Sequence, residues 1–520
     1  MITIDKILFL SLVILCTNCE SGKEQSSRSI ETEKAIPVEG VDVTDYGVSG
    51  DGKTLNTEHI QGIIDSLEQA GGGTLIFPKG TFLSGSLEIK SNITIYLREE
   101  AVLMGTADPY QYRKGIGNLA FLFGGHAENI AILGKGSIDG QGRALALAID
   151  SLHHIGERID PNYNLRRMRP HESFRPELLN LKQCKNITIN GVTLKNSAGW
   201  LQTIEQCNKV VYDSVKVYNR AYWNNDGFDI VDCHNVRITN CNVDAADDGI
   251  CLKSHSADHF NDQIYISNCT VRSSASAIKF GTASLGGFKN VTIEDIEVFD
   301  TFRSAIAIES VDGGVIENIK VNNVVAKNTG NAIFIRLGHR SGERPGSVKH
   351  INLKNINVEV PFGRPDINYD LRGPEVDFFH NPFPASIAGI PEYRIEDVHL
   401  ENIQISYPGR ATKGMAYVPL SRLEQVPERI ENYPEFSMFG ELPAWGFYVR
   451  HAKGITFKNI SLTLQDSDYR PAFVFDDVID LQMDKIELPI DKKDQIVLKD
   501  VDDSSISLNE ELVKTIYKQL

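Results

Sequence analysis

Three aspartates carry the chemistry open to this chain. Asp226 stands in the run Asn224-Asn225-Asp226-Gly227-Phe228-Asp229, and Asp247-Asp248-Gly249 follows, with Asp248 22 residues beyond Asp226. Carboxylates brought together repel, so at least one of a close set takes a raised pKa and keeps its proton near neutrality. A protonated acid beside an ionised one is what hydrolysis of a glycosidic bond needs. The first protonates the leaving oxygen and the second activates water. The same runs are also turn sequences, and rows of aspartate also bind calcium. The readings separate on whether the chain sets the three acids side by side.

The surrounding segments do so. Residues 186–197 alternate polar and apolar positions, break, and alternate again, and the pattern returns from Asn208, Asn235, Gln263, Asn290, Lys349, Arg394 and Gly454. Alternation over so few residues is strand. Asn186, Asn208 and Asn235 lie 22 and 27 residues apart, a repeat whose units bury an apolar face only against their neighbours. Leucine-rich repeats need a leucine signature and a helical segment, and neither is found. The expected fold is all-β: a right-handed, single-stranded parallel β-helix. Registering its coils puts Asp226, Asp248, Ser276, Ser304 and Asn331 at equivalent positions, ~4.8 Å apart on successive coils. Asp226 and Asp248 are then stacked neighbours. Ile60, Ile63, Ile64 and Leu67 mark an amphipathic helix that caps the N-terminal end of the core. Long insertions are expected at about 142–180, rich in arginine, and 361–450, rich in proline and aromatics. Arg158, Arg166, Arg167, Arg169 and Arg175 read mainly as a solvated loop face. Tyr369, Phe378, Phe379, Tyr433, Phe436 and Trp445 are either sugar platforms or, more simply, loop anchors. Cys184, Cys207 and Cys233 fall just before the repeating asparagines and should stack inside. With Cys241, Cys251 and Cys269 they show no metal-ligand spacing.

These motifs resemble glycoside hydrolase family 28, the polygalacturonases and their relatives, over roughly residues 40–340. The opening marks are Val43-Thr44-Asp45-Tyr46-Gly47 and Gly71-Gly72-Gly73-Thr74, shared with other β-helix enzymes. More specific are Asn224-Asn225-Asp226, similar to an Asn-Thr-Asp motif with Asn225 for the threonine, and Asp247-Asp248. The resemblance implies that Asp247 is the general acid, that Asp226 and Asp248 position and activate the water, and that the anomeric carbon inverts. Two departures concern substrate. The family's Gly-His-Gly histidine falls on Ser276, and its carboxylate-gripping Arg-Ile-Lys falls on Ala307-Ile308-Glu309. Positive charge one coil away, at Lys279 and Arg336, is the expected replacement, unless Arg336 simply pairs with Glu309. Candidate substrate-binding residues are therefore Asn224, Lys253, Ser276, Lys279, Glu309 and Arg336.

A formal net charge of −16 argues against a nucleic-acid partner. The apolar run from Ile7 to Leu15 is too short to span a membrane and reads as an export signal. Cys19 after it, then a polar stretch, resembles a bacterial lipoprotein signal. The expected plan is a signal over 1–19, a tether over 20–40, the β-helix over 41–500, and a C-terminal tail or cap over 501–520. The chain is thus expected to be a periplasmic or outer-membrane-anchored glycosidase on a plant or algal polysaccharide or its oligosaccharides, exo-acting, without cofactor or metal. A polysaccharide lyase, with Lys279 as base, and a non-catalytic carbohydrate-binding β-helix are the alternatives. Sugar, linkage and oligomeric state are left open.

Overall fold

Each coil contributes up to three short strands, and like strands of successive coils pair in parallel. The computed structural model describes residues 39–367, 369, 383–414, 418–489, 495–507 and 517–519, so Cys19, the signal, most of the tether, Phe378 and Phe379 lie outside the described residues. One ladder runs through Lys185–Asn190, Asn208–Asp213 and His234–Thr239. A second runs through Thr193–Lys195, Lys216–Asn219 and Asn242–Ala245. The third, which carries the site, runs through Glu177–Lys182, Gln202–Glu205, Phe228–Val231, Ile250–Ser254 and Ile278–Ser284. The fold is a right-handed parallel β-helix. Alternate residues of each strand point inward, so Ile187, Ile189, Val210, Tyr212, Val236 and Ile238 are all buried in one continuous core.

Corners between ladders are made by residues in the left-handed region, asparagine more often than any other residue with a Cβ, since it tolerates that region well. Asn129, Asn186, Asn235 and Asn290 have φ of 58°, 54°, 56° and 52°. Asn208 stands one residue out of that column: it pairs with Lys185 and His234, and Lys209 takes the corner with φ 60°. The cysteines stack inside, with the Cys184 and Cys207 N–H groups each 3.3 Å from the sulfur one coil on.

Helix α1 (Thr57–Gln69) buries Ile60, Ile63 and Ile64 over the first coil. The insertion after 142 contains a second helix, α2 (Gly142–His154), with Leu145, Ala146 and Ile149 buried; its apolar spacing was overshadowed by the arginines that follow. The later insertion includes one further coil, Ala385–Ala388 and Ile395–Tyr407. The coils also continue past residue 500, since Ile496–Ser507 pairs with Phe473–Glu487 throughout. Alternation weakens in Asp500-Val501-Asp502-Asp503, which hid that strand.

Candidate active site

Register brings the acids together. Phe228 pairs with Ile250, Ile250 with Ile278, and Ile278 with Ile306, so Asp226, Asp248, Ser276 and Ser304 stand in one column at the turn entering the third ladder. Asp226, Asp247 and Asp248 each offer an oxygen within 4.8 Å of the others. They line a cleft of about 320 Å3 together with Trp200, Asn224, Lys253, Lys279, Arg340 and Tyr433, among others.

Lysines set the ionisation of this group. The Lys253 ammonium lies 3.1 Å from Asp226 Oδ2 and contacts Asp229 Oδ1 closely. That of Lys279 lies 3.0 Å from Asp248 Oδ2 and 3.2 Å from the Tyr433 hydroxyl. The Ser276 backbone N–H donates to Asp248 Oδ1 at 3.1 Å. Burial opposes ionisation of Asp248, but Lys279, Lys253 and Arg303 outweigh it and hold the carboxyl below its ordinary value. Asp247 goes the other way. Burial, then Asp226 and Asp248, push it up to about 8. Asp226 is also raised, by burial, Asp229 and Asp248 against the pull of Lys253, and Asp229 rises to about 7 for want of water. Within one cluster, Asp247 is thus pushed toward its protonated form and Asp248 toward its ionised form. The three oxygens are also spaced for a cation, but two lysines already supply positive charge there.

The other expected contacts sort differently. Asn224 lines the cleft and accepts from Arg175 Nη2 at 2.8 Å. Ser276 contributes its backbone. Glu309 is buried beside Lys279 and Arg303; burial lifts it to about 7, and it does not line the cleft. Lys279 does line it, with its charge directed to Asp248. Arg336 is the correction. It pairs in register with Glu309, yet its guanidinium donates to the carbonyls of Ala388, Gly389, Glu428 and Arg429. It makes neither the expected ion pair nor a cleft wall, because the end of the next strand and a loop laid over that coil both offer it carbonyls. Of the loop aromatics, Tyr369, Phe436 and Trp445 are buried anchors, while Tyr433 reaches the site.

Four residues were not foreseen as part of the site: Asp229, Arg175, Arg303 and Glu435. Asp229 shares Lys253 with Asp226. Arg175, read as part of a solvated face, is buried and braces the Asn224 turn through the Ala198 and Trp223 carbonyls at 2.8 and 2.6 Å. Arg303 lies 3.2 Å from Glu435, and its charge acts on both Asp247 and Asp248. Its place in the column of Asp247, just before Ser304, was the available signal. Tyr433 and Glu435 come from a loop with no periodicity to register.

A β-helix whose cleft gathers three aspartates with opposed pKa shifts fits an O-glycosyl hydrolase. The family described as glycosyl hydrolases family 28 matches residues 69–363, and the chain belongs to it. The family described as rhamnogalacturonase A/epimerase, pectate lyase-like, matches residues 40–97. The chain is 26% identical over 374 residues to a "Probable polygalacturonase" of Vitis vinifera, covering 68% of each protein. It is 28% identical over 374 residues to an "Exopolygalacturonase" of Zea mays, covering 67% of this chain and 83% of that protein. Two solved structures share the fold. A hyperthermoactive exopolygalacturonase from Thermotoga maritima has a TM-score of 0.57 at 22% identity, over 71% of this chain and 88% of its own. A family 28 exopolygalacturonase from Yersinia enterocolitica has 0.60 at 19%, over 86% and 77%.

Proposed function

We propose that the protein hydrolyses glycosidic bonds at the ends of pectin-derived chains, with inversion, and that it does so outside the cytoplasm. The observation that carries this is the split within one carboxylate cluster: Asp247 pushed up to about 8 and Asp248 held low by Lys279. Asp247 donates its proton to the glycosidic oxygen as the bond to the anomeric carbon breaks. Asp248 takes a proton from the attacking water, and the water oxygen bonds to that carbon. Asp226, which lines the cleft with an oxygen within 4.8 Å of those of Asp247 and Asp248, positions the water. Nearest oxygens within 4.8 Å fall short of the ~6.5–9.5 Å common between inverting carboxyls. Inversion is favoured nonetheless because Asp226 and Asp248 each accept from a lysine, which blunts them as nucleophiles.

Attack at chain ends is supported by a wall. Tyr433, hydrogen-bonded to Lys279, and Arg340 stand on the side of the later coils. Toward the earlier coils, Trp200 and Glu172 are shared with a second hollow of about 150 Å3 that reaches Asn118 and Glu177. One of the relatives above, from Zea mays, is named as an exopolygalacturonase, which supports both pectin and exo action. The export signal ending near Cys19 supports an anchored periplasmic or outer-membrane location. A lyase reading is disfavoured because Lys279 is held as the charged partner of Asp248, not as a free base. The test is to digest pectin-derived oligosaccharides and follow the first-formed anomer by NMR. Single-sugar release with the inverted anomer is expected; a retained anomer, an unsaturated product or internal cleavage each sinks its part of the reading.

A further inference from the structure

We infer that the cleft selects a neutral sugar at the bond it cleaves, a conclusion that rests on the hydrolase reading above. Every cation lining the cleft already has a carboxylate of the protein as its partner. Lys253 is shared by Asp226 and Asp229, and its third contact is Cys251 Sγ at 3.1 Å. Lys279 serves Asp248 at 3.0 Å. Arg340 grips Asp312 at two points, 3.0 and 2.7 Å. Both lysine ammoniums are thus committed to aspartates of the site itself, and Glu172 adds a further acid to the lining.

A uronate would bring one more carboxylate into a buried site where charges are weakly screened. The positions at which the family resemblance places a carboxylate grip are here Ala307 and Glu309, both buried. A neutral pyranose makes the opposite demands. Its hydroxyls can donate to the aspartates, and its apolar face can rest on Trp200 or Tyr433, which both line the cleft.

Positive charge for an acidic chain lies outside. Arg167 and Arg169 rest over the Trp223 ring at 5.6 and 4.9 Å, off the cleft lining and with no ion pair among the described residues. Trp223 directly precedes Asn224 of the lining, which puts Arg169 by the rim. The division is therefore a neutral unit in the cleft and acidic units of the same chain at the rim.

The test digests pectin-derived oligosaccharides of mixed neutral and acidic composition with the full chain in H2(18)O. The isotope enters the anomeric carbon of whichever sugar occupied the cleft, and mass spectrometry identifies it. Label on neutral sugars is expected. Label on a uronic acid overturns the inference and leaves the hydrolase reading standing. No label on any sugar overturns the hydrolase reading, and the inference with it. Arg169→Met should raise KM severalfold for acidic chains, and less for carboxyl-reduced ones, without changing which sugar is labelled. An equal effect on both kinds of chain overturns the rim assignment.

Discussion

Two polar columns of this solenoid repeat at the same coil spacing and behave in opposite ways. In one, Asn355, Asn402 and Asn459 stack at a corner, and each amide donates to the Oδ1 one coil back at 2.8 Å, starting from Asn322. An amide carries both donor and acceptor, so identical copies satisfy one another. In the other, Asp226 and Asp248 stack. An ionised carboxylate only accepts, so identical copies repel, and the column is held by Lys253 and Lys279, with a proton retained beside it on Asp247. The ladder stores stability in its repetition. The catalytic column stores a proton.

Asp247→Asn breaks the comparison most sharply, since it gives the site an amide like those of the ladder. Turnover on a natural substrate should fall ~10²–10⁴-fold with loss of the proton donor. The melting temperature should hold or rise as repulsion is relieved. Full turnover in the variant excludes Asp247 as the acid.

Lys279→Met should lower kcat about tenfold or more, and its pH profile is the informative readout. In the parent enzyme, activity needs Asp248 ionised and Asp247 protonated, so the alkaline limb should lie near the value of about 8 set for Asp247. Lys279 favours the charged form of both acids. Its removal should therefore carry both limbs toward higher pH. A profile that keeps its limbs while KM rises for acidic substrates alone would return Lys279 to a substrate contact.

Asn402→Ala should show the smallest effect, confined to stability. It removes two ladder hydrogen bonds, each worth ~0.5–1.5 kcal/mol, and puts a Cβ residue without a polar side chain at φ 57°, at a cost of ~1–2 kcal/mol. Asn402→Gly should lose less, because glycine accepts that conformation. Thermal melts of the pair measure this, with kcat unchanged in both.

Much of this contrast was legible before any coordinates. Alternation and coil length placed Asp226, Asp248, Ser276, Ser304 and Asn331 in a common register, because in a parallel stack position along the chain converts directly into position in space. The same logic found α1 and the buried cysteines. It misjudged Arg336, where the register was right and the side chain turned to the carbonyls of a loop. It also read Arg175 as solvated, left Tyr433 open between sugar platform and loop anchor, and missed Glu435. These act across loops whose path no periodicity describes, so only the folded chain shows which of many arginines or tyrosines arrives. Lys279 lies between the cases: its column was legible, its partner was not.

The loop that delivers Tyr433 and Glu435 has an apolar core of its own. Leu423, Val426, Phe436, Phe439 and Leu442 pack with Phe334, Tyr448 and Val474 on the outer face of the third ladder, and Arg336 rivets the loop to the coils beneath. Packing of the inner core and presentation of the cleft wall are therefore separate inheritances. A laboratory graft of this outer segment from another β-helix should therefore change the cleft wall while leaving the coils folded.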